Sequence, residues 1–260
     1  MRIAVVSKNL ENKVVKDVVD FVGKLGFSVK ALEIGKELEN NDLIISIGGD
    51  GTILSILQHI KCCPPIFGVN TGRIGLLTHA EVNNFKEELK GILEKLEIEK
   101  FMRLECLING ESKLIALNEI AILSSIPAKL IELKMFVDGN EIEHMRCDGM
   151  LFSTSIGSTA YALATGGPII DPYLDSILII PVAPFKLAWK PWVVKPDRKI
   201  EVKLYRDAII VADGQNSAKV STKDKIEIVK SKHPAVFVKH KNRIKKIAEK
   251  LCDIKRNLIR

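Results

Sequence analysis

The chain has no uninterrupted apolar stretch long enough to cross a bilayer, and Met1 and Arg2 lead straight into the strand-like run Ile3 to Val6. Neither a membrane span nor an export signal is expected, and no membrane partner. Its five cysteines (Cys62, Cys63, Cys106, Cys147, Cys252) are odd in number and show neither CxxC nor metal-ligand spacing, so reduced thiols in a cytoplasmic protein are the expectation. The five histidines (His59, His79, His144, His233, His240) form no cluster, and no protein metal site is assigned. There is no GxxxxGK[ST] and no GxGxxG after a strand, which excludes a P-loop and a standard dinucleotide fingerprint. Internal repeats, low-complexity tracts and flexible linkers are also missing.

What remains is an ordinary enzyme-like composition. A chain of 260 residues that is 47% hydrophobic can build one large domain or two smaller ones. The net charge of +7 favours anionic partners, yet nine of the Lys and Arg residues lie in the terminal segment 239–260. There, Ile244, Ile247, Leu251, Ile254 and Leu258 recur at helical spacing, so the charges are expected on the solvated face of a docked helix. No nucleic-acid motif accompanies them, and no nucleic-acid partner is expected.

The pattern of elements changes near residue 100. Before it, β-branched runs (Ile3 to Ser7, Ser28 to Leu32, Leu43 to Ile47, Ile66 to Val69) alternate with helical patterns around Val14 to Leu25 and Phe85 to Leu96, which predicts a parallel sheet covered by helices. After it come strand-like runs, Leu104 to Ile108, Ile120 to Leu123, Ile131 to Val137, Ile200 to Leu204, Ile209 to Ala212 and Ile226 to Val229. They are punctuated by the hairpin pairs Asn109-Gly110, Asp138-Gly139 and Asp213-Gly214. The reading is an α/β domain over residues 1–99, with a terminal helix at 241–260 packing back on it. A mainly antiparallel domain over 100–240 follows.

Gly48, Gly49, Asp50, Gly51 and Thr52 follow the buried strand Leu43 to Ile47 directly and precede a helix predicted from Thr52 to about Ile60. Glycines there let backbone N–H groups face an anion, at the sheet edge where ligands normally sit. Asp50 would repel phosphate, so it holds a cation or takes a proton from an attacking hydroxyl. The second glycine turn, Gly68 to Leu77, follows the next strand and should lie beside the first, with Arg73 in reach of a phosphate oxygen.

Two further signals lie in the β-rich half. Six hydroxyl side chains fall between Ser153 and Tyr161 around Gly157, which reads as a ligand-facing turn or the cap of a helix starting near Ser158. Asn118 and Glu119 interrupt an apolar run, and a base with a ribose diol would satisfy them.

Together with Arg146-Cys147-Asp148-Gly149 and Gly166-Gly167-Pro168, these motifs resemble, in order and over most of the chain, the NAD kinase family. The Gly-Gly-Asp-Gly-Thr turn is shared with lipid kinases and phosphofructokinases, whereas the Asn-Glu pair with Gly157-Ser158-Thr159-Ala160-Tyr161 is far more specific. The resemblance implies transfer of the terminal phosphoryl group of ATP, or of polyphosphate, to the adenosine 2′-hydroxyl of NAD, giving NADP. It also implies a divalent cation such as magnesium, an α/β domain (1–99) that binds phosphate and nucleotide followed by a β-sandwich-like NAD-binding domain (100–240), and a homodimer or homotetramer whose subunits share sites.

Residue by residue, Asp50 resembles the proton acceptor, with Gly51 touching the dinucleotide. Asn118 and Glu119 match the adenine and ribose holders, and Arg146 and Asp148 match the arginine and the nicotinamide-side aspartate. Thr159, Ala160, Tyr161, Ala162, Leu163 and Ala164 match the segment bordering the dinucleotide, and Lys129, Ala183 and Gln215 fall at contact positions. Gly48, Gly49, Gly51, Thr52 and Arg73 are the phosphate-side candidates. Ser155 and Phe185 depart from the family's usual Pro and His, which leaves fine substrate or donor preference open. A diacylglycerol-type lipid kinase, a non-catalytic NAD sensor and a basic nucleic-acid binder are the rival readings.

Overall fold

Strand and helix alternate through the first hundred residues: β1 (Arg2–Ser7), α1 (Lys13–Lys24), β2 (Ser28–Leu32), β3 (Leu43–Ile47), α2 (Asp50–Gln58), β4 (Ile66–Asn70), a two-residue β5 (Ala80–Glu81), α3 (Phe85–Glu94) and β6 (Ile98–Phe101). The computed structural model describes residues 1–35, 37–186 and 189–258, with side chains described up to residue 253. The Asn12 side chain accepts the Val14 N–H at 2.9 Å and caps α1, whose Val15, Val18 and Val22 recur at helical spacing and are buried. They meet Ile3, Val5, Leu43, Ile45 and Val69 of the sheet in one apolar cluster. β1 pairs in parallel with β2 and β3, and β3 with β4. All five residues of β3 are buried, as a strand covered on both faces requires.

From Phe101 to Pro234 the chain forms a second unit. Its elements are β7 (Leu104–Ile108), β8 (Glu111–Ala116), β9 (Glu119–Ser124), β10 (Ile131–Val137), β11 (Asn140–Cys147), β12 (Gly149–Thr154), a 3-10 turn (Ile156–Thr159), α4 (Tyr161–Ala164), β13 (Ile177–Val182), β14 (Trp192–Val194), β15 (Ile200–Leu204), β16 (Ala208–Ala212), β17 (Asn216–Val220) and β18 (Ile226–Lys230). Two six-stranded antiparallel sheets result, ordered β11-β10-β15-β18-β7-β8 and β14-β13-β12-β9-β16-β17. Alternate residues such as Ile131, Leu133 and Met135 of β10 point inward. They pack with Ile120, Ile122, Met150 and Phe152 of the other sheet in one shared core, a β-sandwich arrangement.

All three predicted hairpin pairs turn as expected. Asn109 and Gly110 (φ 54° and 83°), Asp138 and Gly139 (50° and 80°), and Asp213 and Gly214 (52° and 64°) are left-handed at both positions, the conformation that matches strand twist. The helix expected near Ser158 is instead the 3-10 turn followed by the four-residue α4. Gly166, at φ 85°, and Pro168 stop it there.

The chain then returns to the first unit through β19 (Ala235–Val238) and α5 (Arg243–Leu258). β19 pairs in parallel with β4 and completes the sheet order β2-β1-β3-β4-β19-β6, with β5 on β4. The Lys239 N–H donates to the Glu97 carbonyl at 2.9 Å across the junction with β6.

A Cβ built on Gly157 would stand 2.1 Å from the backbone oxygen of Asn118, whereas one on Gly51 meets nothing within 4 Å. Gly157→Ala should therefore cost on the order of 1–3 kcal/mol, and Gly51→Ala should leave the melting temperature level or slightly raised. Thermal unfolding of the two variants side by side measures the difference.

Candidate active site

β3 feeds the glycine turn and α2 opens on Asp50, two residues before the expected start. Gly48, at φ 155°, has no room for a side chain, because a Cβ there would lie 2.2 Å from Thr52 Oγ1. The Thr52 N–H closes the first turn on the Gly49 carbonyl at 3.0 Å. First-turn amides of a helix have no intrahelical acceptor and carry the positive end of its dipole. The Gly48 N–H is different: it donates to the Val69 carbonyl at 3.0 Å. The Gly48 N–H is thus already engaged, and Gly48 serves the close packing of Thr52.

The second glycine turn lies beside the first, with the Thr71 N–H donating to the Gly48 carbonyl at 3.3 Å. Buried Asn70 shapes it: Oδ1 accepts the Gly72 N–H at 3.0 Å, and Nδ2 donates to the Gly72 carbonyl at 3.3 Å and to Glu81 Oε2 at 2.9 Å. The loop then turns two amides onto Asp50. The Leu76 N–H donates to Oδ2 and the Leu77 N–H to Oδ1, each at 2.8 Å. Burial pushes the Asp50 carboxyl above its ordinary range, against the pull of the Leu77 and Leu76 amides and of Lys246 and Arg243. Arg73 is exposed on the same loop.

In the second unit, the peptides around Asn118 and Glu119 are held from two sides. Buried Asp213 takes their amides: Oδ2 accepts the Leu117 N–H at 2.8 Å, and Oδ1 accepts those of Asn118 at 2.7 Å and Glu119 at 3.1 Å. Hydroxyls take their carbonyls. Ser153 Oγ donates to Asn118 O at 3.1 Å and Thr154 Oγ1 to Leu117 O at 2.6 Å. Ser155 donates to Leu174 O, and Ser158 Oγ accepts the Ile170 N–H at 3.0 Å. Ser153, Thr154, Ser155 and Ser158 are all buried, and Thr159 Oγ1 donates to the Ile156 carbonyl at 3.4 Å, so five of the six hydroxyls read as ligand-facing or capping groups bind this chain's own backbone. Thr159 and Tyr161 keep access to solvent.

Glu119 has a different environment. One carboxyl oxygen is buried with no hydrogen-bond partner, while the Tyr161 amide is the group's backbone donor. Burial, and then the neighbouring Asp213 charge, push its pKa up to about 8. Burial raises Asp213 too, to about 6, against its three amides and Arg103. A neutral Glu119 at pH 7 offers an O–H donor to whatever lies against it.

The other residues singled out in this unit fall into two groups. Thr159, Ala160, Tyr161, Ala162, Leu163 and Ala164 follow β12, and exposed Gln215 follows the Asp213 turn, so both share the Glu119 end of the sheet. Lys129, Arg146, Asp148 and Ala183 cluster at the other end: the Ser124 N–H donates to Asp148 O at 2.9 Å, and the Asp148 N–H to Val182 O at 3.0 Å. The register places Glu119 opposite Ser153 and Leu123 opposite Gly149, so the ends lie about 14 Å apart. The Arg146 guanidinium stands 5.7 Å over the exposed Phe185 ring.

Lys245 lies on the solvated face of α5 as expected, but three other cations of the helix do not. Arg243 is 1% exposed, and its Nε and Nη2 both donate to Glu99 Oε1. Lys246 Nζ donates to the Thr78 carbonyl at 2.6 Å, and Lys250 pairs with Glu81 at 3.0 Å. Ile247 is buried, but Ile244 is 52% exposed. The side chains of Ile254 and Leu258 lie outside the described residues. The inner face of α5 is thus partly cationic because it packs on the loop beside Asp50. An apolar period of 3.6 does not report such a face.

Comparison with known proteins matches both units. The family model described as the ATP-NAD kinase N-terminal domain covers residues 9–97, and that of the ATP-NAD kinase C-terminal domain covers residues 117–240. An NAD kinase of Archaeoglobus fulgidus is 49% identical over 255 residues, 98% of this chain and 100% of the relative. An NAD kinase of Methanosarcina mazei is 42% identical over 204 residues, 77% of this chain and 71% of the relative. The crystal structure of an NAD kinase from Archaeoglobus fulgidus in complex with ATP superposes with a TM-score of 0.91 at 49% identity, covering 97% of this chain and 99% of that one. Yeast NADH kinase complexed with NADH shares the fold, with a TM-score of 0.85 at 21% identity over 97% of this chain and 87% of that one.

The raised Glu119 pKa makes stability depend on pH in a definite direction. Because the folded pKa lies above the unfolded one, the contribution is fully present below about pH 4.3, the ordinary glutamate value, and is lost as pH rises through about 8. Glu119→Gln, a neutral isostere, should raise the melting temperature by several degrees at pH 8.5 and leave it unchanged at pH 4. Melting curves across that range, without nucleotide, read the slope.

Proposed function

The chain belongs to the NAD kinase family and phosphorylates NAD with ATP, and we propose that Asp50 accepts the proton of the adenosine 2′-hydroxyl as the phosphoryl group arrives. The observation that carries this reading is the fixed Asp50 carboxylate at the N-terminus of α2, beside amides that suit phosphate oxygens. Phosphoryl transfer needs an aligned acceptor and donor and neutralised oxygens, with little covalent work by the protein. A carboxylate raised toward neutrality by burial is a stronger base while still ionised.

The amides of Gly49 and Gly51 hold the donor's phosphates, with Thr52 closing the turn and Arg73 reaching from the loop. Magnesium enters with these phosphates as part of the substrate, keeping several of its own waters and needing few protein ligands. Polyphosphate can use the same cradle. Asn118 and Glu119 hold adenine and ribose, Glu119 as a neutral donor, and Thr159 to Ala164 and Gln215 border them. Lys129, Arg146, Asp148 and Ala183 serve the nicotinamide side. Their distance from Glu119 suits a homodimer or homotetramer in which one copy's Arg146 end meets a dinucleotide held by another. All five cysteines are free thiols, which suits work in the cytoplasm.

Incubating the protein with ATP, magnesium and NAD and measuring NADP tests the reading. Asp50→Asn should lose turnover by about a thousandfold while NAD affinity moves by no more than about threefold. Near-normal turnover in that variant rules Asp50 out as the base. Lipid phosphorylation without NADP formation favours the lipid-kinase alternative.

A further inference from the structure

We propose that Arg243 and Lys246 of α5 are positioning residues for Asp50, each acting through one peptide group of the loop between Gly75 and Leu77. The proposal rests on the reading of Asp50 as the base.

The two routes run in parallel. In one, Arg243 Nη1 donates to the Leu76 carbonyl at 3.4 Å, and the same peptide group presents the Leu77 N–H to Asp50 Oδ1 at 2.8 Å. In the other, Lys246 Nζ donates to Thr78 Oγ1 at 3.1 Å, Thr78 Oγ1 donates to the Gly75 carbonyl at 2.9 Å, and that peptide presents the Leu76 N–H to Asp50 Oδ2 at 2.8 Å. Each oxygen of the carboxylate is thus tied to its own cation through a peptide whose carbonyl end is already engaged. A peptide polarised at its carbonyl donates more strongly at its N–H. Both carboxylate oxygens are pinned, so the plane of the group is fixed relative to the start of α2.

The anchor points are rigid. Arg243 is clasped by Glu99 and stands 5.7 Å over the Phe237 ring. Thr78 is fully buried, and Lys246 makes a second bond to its carbonyl. The charged groups that bear on Asp50 are Arg243 and Lys246, both of α5, and Lys246 in turn faces Glu81 and Lys250. Burial brings the Lys246 pKa down to about 8, so it remains mostly cationic at neutral pH. His79 lies nearby and is held neutral by burial: its Nδ1 accepts the Gly68 N–H at 3.0 Å, and its Nε2 meets the Val238 carbonyl at 2.7 Å.

The test compares Lys246→Met, Lys246→Arg and Thr78→Val in the full-length enzyme, with steady-state kinetics from pH 5 to 9 and circular dichroism to establish folding. Thr78→Val cuts the second route without changing charge. Lys246→Met and Thr78→Val should each lower kcat about tenfold while KM for NAD changes by no more than about threefold. Loss of the cation should also move the acid limb of kcat upward by about half a pH unit or more, and Lys246→Arg should restore it. Folded Lys246→Met and Thr78→Val enzymes with wild-type kcat and acid limb overturn the proposal. Asp50→Asn separates the two levels: if its residual activity keeps the wild-type acid limb, the base assignment falls and the positioning role with it. If Asp50→Asn loses that limb while Lys246→Met and Thr78→Val keep wild-type kcat and Lys246→Met leaves the limb in place, only the positioning role falls.

Discussion

A carboxylate taken out of water must be given other hydrogen-bond donors, and in both units those donors are consecutive backbone amides. Asp50 receives the amides of Leu76 and Leu77, and Asp213 those of Leu117, Asn118 and Glu119. Burial still outweighs the amides, for both groups stay above their ordinary pKa. The surrounding architecture follows from the need to present amides in convergent directions. Asn70 bends one segment, while Ser153, Thr154 and Gly157 press the other into place. Side-chain polarity in these regions is mostly used to shape backbone.

Against that background, Glu119 stands out as the buried carboxyl with an oxygen left over. Its neighbour Asp213 is fully engaged and fixes the strand entrance, and the Asp213 charge in turn helps keep Glu119 protonated. Two acids in contact with one peptide segment have therefore separated into a structural anion and a neutral acid. Only the second has hydrogen-bonding capacity to offer a ligand.

Much of this was legible in the sequence where one local rule dominates. The hairpin pairs declare themselves because few residues tolerate a left-handed backbone, and β7, β10 and β15 begin and end where their apolar runs do. The glycine turn was legible from its place between a buried apolar run and a helical pattern. What escaped depends on contacts between distant segments. Asp213 reads as a turn residue, and nothing local says that its carboxylate caps a strand nearly a hundred positions earlier. The hydroxyls of Ser153 and Thr154 look ligand-directed because their acceptors, the carbonyls of Asn118 and Leu117, lie 35 and 37 positions earlier. Arg243 and Lys246 look solvated because their counterparts Glu99 and Thr78 belong to another part of the chain.

The placement of β19 between β4 and β6 bears on how the protein is made. During synthesis, residues 1–100 emerge well before β19, so the start of β4 waits with an open edge, only its end being covered by β5, while the whole sandwich is translated. An open parallel edge is a template for pairing with other chains. Until residues 235–250 arrive, the loop beside Asp50 also lacks its two cations. A nascent chain can therefore complete its second unit before the loop beside Asp50 has its full set of contacts. Aggregation, not premature catalysis, is the hazard of that interval.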